Sequence, residues 1–183
     1  MGPTLEGARV RLRGWREADL PTLSMLRNDL ELQAKLMARA RPNPISRVRE
    51  WLEERSSQID LLLFVIADRN DDAVLGYVQA AALDMFHGHC DLGICLSPAA
   101  HGRGIATAVL ELMYAHLRDR HGLRKICLRV RADNARAIAF YRREGYVEVG
   151  RLASHYREGD TYIDVILMER FLPGSALAPG WPV

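Results

Sequence analysis

A chain of 183 residues, 49% hydrophobic and 26% charged, is long enough for one well-buried core and has the composition of a soluble globular domain. A formal net charge of +2, with Lys and Arg spread along the chain, argues against a nucleic-acid partner. The longest apolar run, Leu61 to Ala67, is too short to span a bilayer, and the opening Met-Gly-Pro-Thr-Leu-Glu holds neither an apolar signal core nor a myristoylation pattern. A cytoplasmic protein with no membrane partner is expected.

Taken in order, Arg9 to Gly14 alternates apolar and charged residues as an edge strand does, and Trp15 to Asn28 reads as a helix with Leu20, Leu23 and Leu26 on one face. A second helical region covers Glu31 to Ala40. A third begins after Pro44, with Ser46 as its cap and Val48, Trp51, Leu52 and Ile59 as its apolar positions. Leu61–Asp68 and Ala73–Leu83 then form a hairpin about Asn70-Asp71-Asp72, and Phe86 to His89 turns the chain into a central strand from Cys90 to Pro98.

The next stretch holds the most chemistry. Gly102 and Gly104 stand directly before an apolar pattern at Ile105, Val109, Met113 and His116/Leu117, so a glycine loop feeds the N-terminus of an amphipathic helix. Unpaired first-turn amides and the helix dipole favour an anion there, and glycine lets a phosphate approach the backbone. Arg103 and Thr107 can add a cation and a hydroxyl donor. The loop is neither a Walker A sequence nor a dinucleotide fingerprint, since Gly-Lys-Ser/Thr and three spaced glycines are both missing.

A strand from Lys125 to Arg131 follows, then a short helix that Asp133 or Asn134 can cap and Gly145 can end in the left-handed conformation. Tyr146–Leu152 and Thr161–Phe171 read as a closing hairpin about Glu158-Gly159-Asp160, and residues 173–183 as an irregular tail beyond a single domain of residues 1–172. Cys90, Cys95 and Cys127 fall in core strands as an odd number, which implies reduced thiols. His87-Gly88-His89-Cys90 gathers possible ligands, but one side of a turn offers no matching second pair, and no metal site is expected.

Two blocks, Leu-Ser-Pro-x-x-His-Gly-Arg-Gly-Ile-Ala-Thr from Leu96 and Asn-x-x-Ala-x-x-x-Tyr-x-x-x-Gly-Tyr from Asn134, resemble the Gcn5-related N-acetyltransferase (GNAT) superfamily. The similarity is closest to its ribosomal-protein-alanine and spermidine acetyltransferase-like branch. With Arg11-Leu12-Arg13-x-Trp15 at the start and Tyr162-Ile163-Asp164-Val165 near the end, it covers roughly residues 9 to 172. The resemblance implies a mixed α/β (α+β) fold: a central, mostly antiparallel sheet with a splayed parallel strand pair, flanked by helices. It also implies transfer of an acetyl group from acetyl-CoA to a primary amine by direct attack on the thioester.

By that resemblance Tyr141 is the general acid, a phenol that stays protonated at neutral pH; the alternative is a core tyrosine beside Phe140. The backbone of Ile94, Cys95 and Leu96 would hold the pantetheine and acetyl groups. The amides of Gly102, Arg103, Gly104, Ile105, Ala106 and Thr107 would hold the pyrophosphate, to which His101 can also donate, with Asn134 on the pantetheine arm and Arg143 toward the adenosine. His101 stands where the family pattern has Arg or Gln, so weaker or pH-dependent phosphate binding is expected. Asp91 stands where relatives often carry Glu as base, with a salt-bridged surface carboxylate as the alternative. His87 and His89 are other candidate bases.

The acceptor is less defined. Lys35, Arg39, Arg41, Arg47 and Arg49 form a segment without acidic residues, in the region that walls the acceptor site in the resembling family, so a small anionic amine such as an amino-sugar conjugate or amino acid is expected. A solvated helix face is the alternative reading of this segment. Other functions that stay open are protein N-terminal or polyamine acetylation, and a non-catalytic acyl-CoA sensor. A homodimer is also open.

Overall fold

The computed structural model describes residues 3–39 and 41–175. Its strands are β1 (Leu5–Glu6), β2 (Val10–Arg13), β3 (Leu62–Asp68), β4 (Val74–Asp84), β5 (His89–Leu96), β6 (Lys125–Arg131), β7 (Val147–Glu158) and β8 (Thr161–Phe171). Its helices are α1 (Leu20–Asn28), α2 (Leu30–Lys35), α3 (Ile45–Ser57), α4 (Ile105–His121) and α5 (Ala135–Arg143). Of the tail expected at 173–183, residues 176–183 lie outside the described residues.

The strands form one sheet in the order β1-β2-β3-β4-β5-β6-β8-β7, antiparallel throughout except for the parallel pair β5 and β6. Helices cover both faces. On one face β5 presents Cys90, Leu92 and Leu96 to Val109 and Met113 of α4 and to Ile138 and Tyr141 of α5. On the other, Cys95 packs with Tyr77 against Leu23 of α1 and Leu52 of α3. Each fully buried side chain of this kind stabilises the fold by about 1.5–3 kcal/mol.

The local signals account for α4 closely. Ile105, Val109, Met113 and Leu117 recur every four residues and are all buried, and Gly122 ends the helix at φ 65° with its N–H on Arg118 and Leu117 carbonyls. Beside it, β4 approaches β5 so closely at Gly76 that an added Cβ would lie 2.0 Å from the Cys95 carbonyl oxygen. Only glycine permits that contact. The start of α1 is fixed by Arg13, whose guanidinium meets Asp19 at 2.8 and 3.0 Å in a buried bidentate pair.

Three expectations fail locally. Ser46 does not cap α3: Pro44 takes the cap position and no side chain closes it. Ile59 lies outside that helix and is exposed, because α3 ends at Ser57. The helix expected to Ala40 stops at Lys35, followed by Met37 at φ 55°, a left-handed conformation that helices do not continue through. No helix among the described residues is long and apolar enough to cross a membrane.

Candidate active site

β5 and β6 pair only through His89–Lys125, Cys90–Ile126 and Asp91–Cys127, although β5 continues to Leu96 and β6 to Arg131. Beyond Asp91 the parallel ladder ends, and one edge of β5 from Leu92 to Leu96 has no strand partner. This is the splay that the resemblance implies. It opens toward the turn before α4.

In that turn Gly102 (φ 73°) and Gly104 (φ 71°) are left-handed, and Gly104 is the N-cap of α4. The amides of Ile105, Ala106 and Thr107 are therefore first-turn donors without helical acceptors. The polar side chains around them are engaged. Arg103 reaches Asp68 at 3.4 Å, while its carbonyl accepts from Arg9 at 2.8 Å. The Thr107 hydroxyl donates to Glu144 at 2.6 Å. The first-turn backbone amides are the donors this loop leaves without a helical acceptor.

His101 stands beside Arg136 at this loop. Its Nδ1 lies 3.3 Å from Arg136 Nη1, and burial, with the charges of Arg136 and Lys35, holds the imidazole below its ordinary range. It is neutral at neutral pH and accepts from Arg136, so Arg136 carries the positive charge at this point. Arg9 and Arg136, both at the loop, carry no signal in the sequence, since each lies in an ordinary charged surface pattern.

On α5, Asn134 is the N-cap, its Oδ1 accepting from the Ala137 amide at 3.1 Å. Arg143 is exposed at the far end of the helix. Tyr141 is buried between Phe140 and Tyr146, with ring centroids at 5.2 and 5.4 Å. Burial, reinforced by Tyr114, pushes its phenol well above the usual range, and it forms no side-chain hydrogen bond among the described residues.

The opposite face of β5 lines a cavity of about 600 Å³ with Gly93, Ile94 and Cys95 at its floor. Its walls carry Arg27, Arg39, Arg41 and Arg55 against one carboxylate, Glu54. Arg27 stacks 4.0 Å over the Trp51 ring. Burial lowers its affinity for its proton, partly offset by Tyr77 and worsened by Arg41, and its Nε is buried without a partner among the described residues. Burial pushes the Cys95 thiol up to about 12, so it is a thiol and not a nucleophilic thiolate.

Of the basic segment read from sequence, Arg39 and Arg41 line this cavity, while Arg47 bonds the Pro42 carbonyl, Arg49 pairs with Glu17 and Lys35 with Glu31. Arg27 and Arg55 lie outside that segment and join the cavity from α1 and α3. Their signal was present: each continues an apolar stripe, Leu23 to Arg27 and Trp51 to Arg55, four residues on. Asp91 shares the face of Gly93 and Cys95 but is exposed and about 13 Å from Cys95 along the strand. It does not line the cavity, and His87 and His89 lie further down, beside Asp84.

The acetyltransferase (GNAT) domain family matches residues 9–147, most of the chain. The protein belongs to the GNAT acetyltransferases. A spermidine N(1)-acetyltransferase of Vibrio cholerae is 27% identical over 116 residues, covering 61% of this chain and 66% of that enzyme. An uncharacterized N-acetyltransferase of Methanocaldococcus jannaschii is 30% identical over 105 residues, or 57% of this chain and 64% of its own. The matched stretch is thus just under two thirds of either relative's length. The crystal structure of the Vibrio cholerae spermidine N-acetyltransferase with CoA and spermine superposes with a TM-score of 0.83 at 21% identity, covering 91% of this chain and 97% of that one. At that identity the likeness establishes the GNAT fold.

Proposed function

We propose that this GNAT domain transfers an acetyl group from acetyl-CoA to the primary amine of a small, anionic acceptor. The carrying observation is the cavity floored by Gly93–Cys95 and walled by four arginines and one glutamate. The residues suit the co-substrate: β5 has an unpaired edge beyond Asp91, and it leads to left-handed glycines and free amides at the start of α4. Those amides hold the pyrophosphate, as helix N-termini hold anions. Acetyl-CoA supplies the activated acetyl group.

Within this reading the open β5 edge orients the thioester between the two faces of the sheet. Tyr141, on the α5 face and protonated by burial, gives its proton to the departing thiolate. Cys95, a buried thiol, takes no acetyl group, so the amine attacks directly. Arg27 and Arg41, which line the cavity, bind the acceptor's carboxylate or phosphate, and Glu54 receives its ammonium end. Asp91 is outside the cavity lining, and in this reading the amine sheds its proton to solvent through the cavity mouth.

A polyamine acceptor is the second reading, favoured by the similarity to a spermidine N(1)-acetyltransferase. Against it stands like charge: a polycation would meet four guanidinium groups and a single carboxylate. The test is free-thiol release from acetyl-CoA by the purified protein, with acidic amino acids, amino-sugar phosphates, nucleotide-linked amino sugars, spermidine and short peptides as acceptors. Turnover with anionic amines above spermidine is expected. Turnover with spermidine alone overturns the acceptor class, and acetyl-CoA binding without turnover for any amine overturns the enzyme.

A further inference from the structure

We propose that Asp84, His87 and His89 form a binding site for a zinc-like divalent transition-metal ion, at the root of the β5–β6 splay and away from the acetyl-transfer site. The three come from one hairpin turn. Asp84 ends β4 and His89 begins β5 directly opposite it, after a register shift that follows Ala81. His87 sits in the turn between them, which folds back at Gly88 with φ 75°.

Their ligand atoms all lie within 4.8 Å of one another. Asp84 Oδ2 is 2.7 Å from His87 Nδ1, a hydrogen bond whose proton a bound ion would replace, and 3.8 Å from His89 Nε2. Those values bracket the roughly 3.4 Å that separates ligand atoms in a tetrahedral site with bonds of about 2.0–2.1 Å. The carboxylate is already oriented, because Asp84 Oδ1 accepts from the His87 amide at 2.8 Å and leaves Oδ2 toward the imidazoles. The turn itself is anchored to β6: Arg124 and Lys125 amides donate to the Gly88 carbonyl at 2.8 and 3.0 Å. The nearby cation, Arg124, is directed at the His87 carbonyl at 3.0 Å and lies 5.5 Å from the Phe171 ring centroid.

Two imidazoles and one carboxylate suit borderline ions such as Zn²⁺ or Co²⁺ over Mg²⁺ or Ca²⁺, which prefer all-oxygen sets. Cys90, adjacent in sequence, is fully buried on the opposite face of β5 and takes no part. The half-exposed imidazoles leave a fourth position for water or for a ligand from another molecule. A bound ion would clamp the β4–β5 turn where β5 still pairs with β6, through His89 and Lys125.

The experiment is calorimetric titration of metal-stripped, untagged full-length protein with ZnCl₂ alone. One saturating equivalent is expected, with a thermal midpoint raised by roughly 5–10 °C at a hundredfold excess over Kd. Asp84→Asn, His87→Ala and His89→Ala should each weaken binding tenfold or more, while the metal-free midpoint of each variant, measured alongside, reads any loss of the turn's own hydrogen bonds separately. His121→Ala, which breaks the other close imidazole pair, Nε2 of His116 and His121 at 3.4 Å, should leave the titration unchanged. Absence of saturable binding, binding that survives His89→Ala and Asp84→Asn, binding abolished by His121→Ala, or stronger binding of Mg²⁺ would each overturn the site.

Discussion

The Arg27 guanidinium lies 4.0 Å above the Trp51 ring with its Nε buried and without a partner among the described residues, and Trp51 in turn meets the Tyr77 ring at 5.2 Å. A desolvated cation in that position is held by an aromatic face and asks for an anion on its free side. Arg27→Gln should therefore raise KM for an anionic acceptor by about tenfold to a hundredfold, the worth of a lost charge-assisted hydrogen bond. kcat should change little. Steady-state kinetics with acceptor varied at saturating acetyl-CoA checks it, and an unchanged KM removes Arg27 from the acceptor site.

Tyr141→Phe deletes one hydroxyl from a ring that otherwise keeps its packing against Phe140 and Tyr146. Loss of a general acid lowers kcat by about 10²–10⁴-fold. Acetyl-CoA affinity, measured by calorimetry, should stay within twofold or so, because the hydroxyl makes no side-chain hydrogen bond among the described residues. A wild-type kcat would leave Tyr141 as a core residue only.

At Gly104, φ is 71° and an added Cβ would come 3.4 Å from Arg9 Nη1. Gly104→Val forces a β-branched residue into the left-handed region and crowds the loop, at a cost of roughly 1–3 kcal/mol. Weakening of acetyl-CoA binding by about tenfold or more is expected, with circular dichroism confirming the fold. Unaltered affinity in a folded variant would move the pyrophosphate elsewhere.

His116 is buried on α4, edge-on to Phe64 at 5.8 Å. Burial first, then His121 and Arg120, hold its pKa below the ordinary imidazole value. The unfolded chain then binds a proton more readily than the native one, so stability is complete above the unfolded value of about 6.5 and falls as pH drops below it. Thermal midpoints across that range should decline on acidification, and His116→Gln should flatten part of the decline. An identical slope in the variant would assign it to other groups.

The sequence by itself carried whatever is settled within one element or one turn. The four-residue spacing from Ile105 to Leu117 predicts α4, the left-handed glycines 102, 104 and 145 stand where the chain must turn, and Asn134 caps the helix that follows. These are contacts between residues a few positions apart, fixed by helix geometry and backbone sterics. What depends on distant segments was decided by the tertiary structure alone. The β5–β6 ladder stops at Asp91 because the strands diverge, a matter of sheet register that no local pattern encodes. Arg27 and Arg55 join Arg39 and Arg41 only once α1 and α3 pack on the Cys95 face, and Asp84, which meets His87 within one turn, reaches His89 only through the pairing of β4 with β5. In each case the chain lists the chemical groups, and packing across the sheet chooses which of them meet.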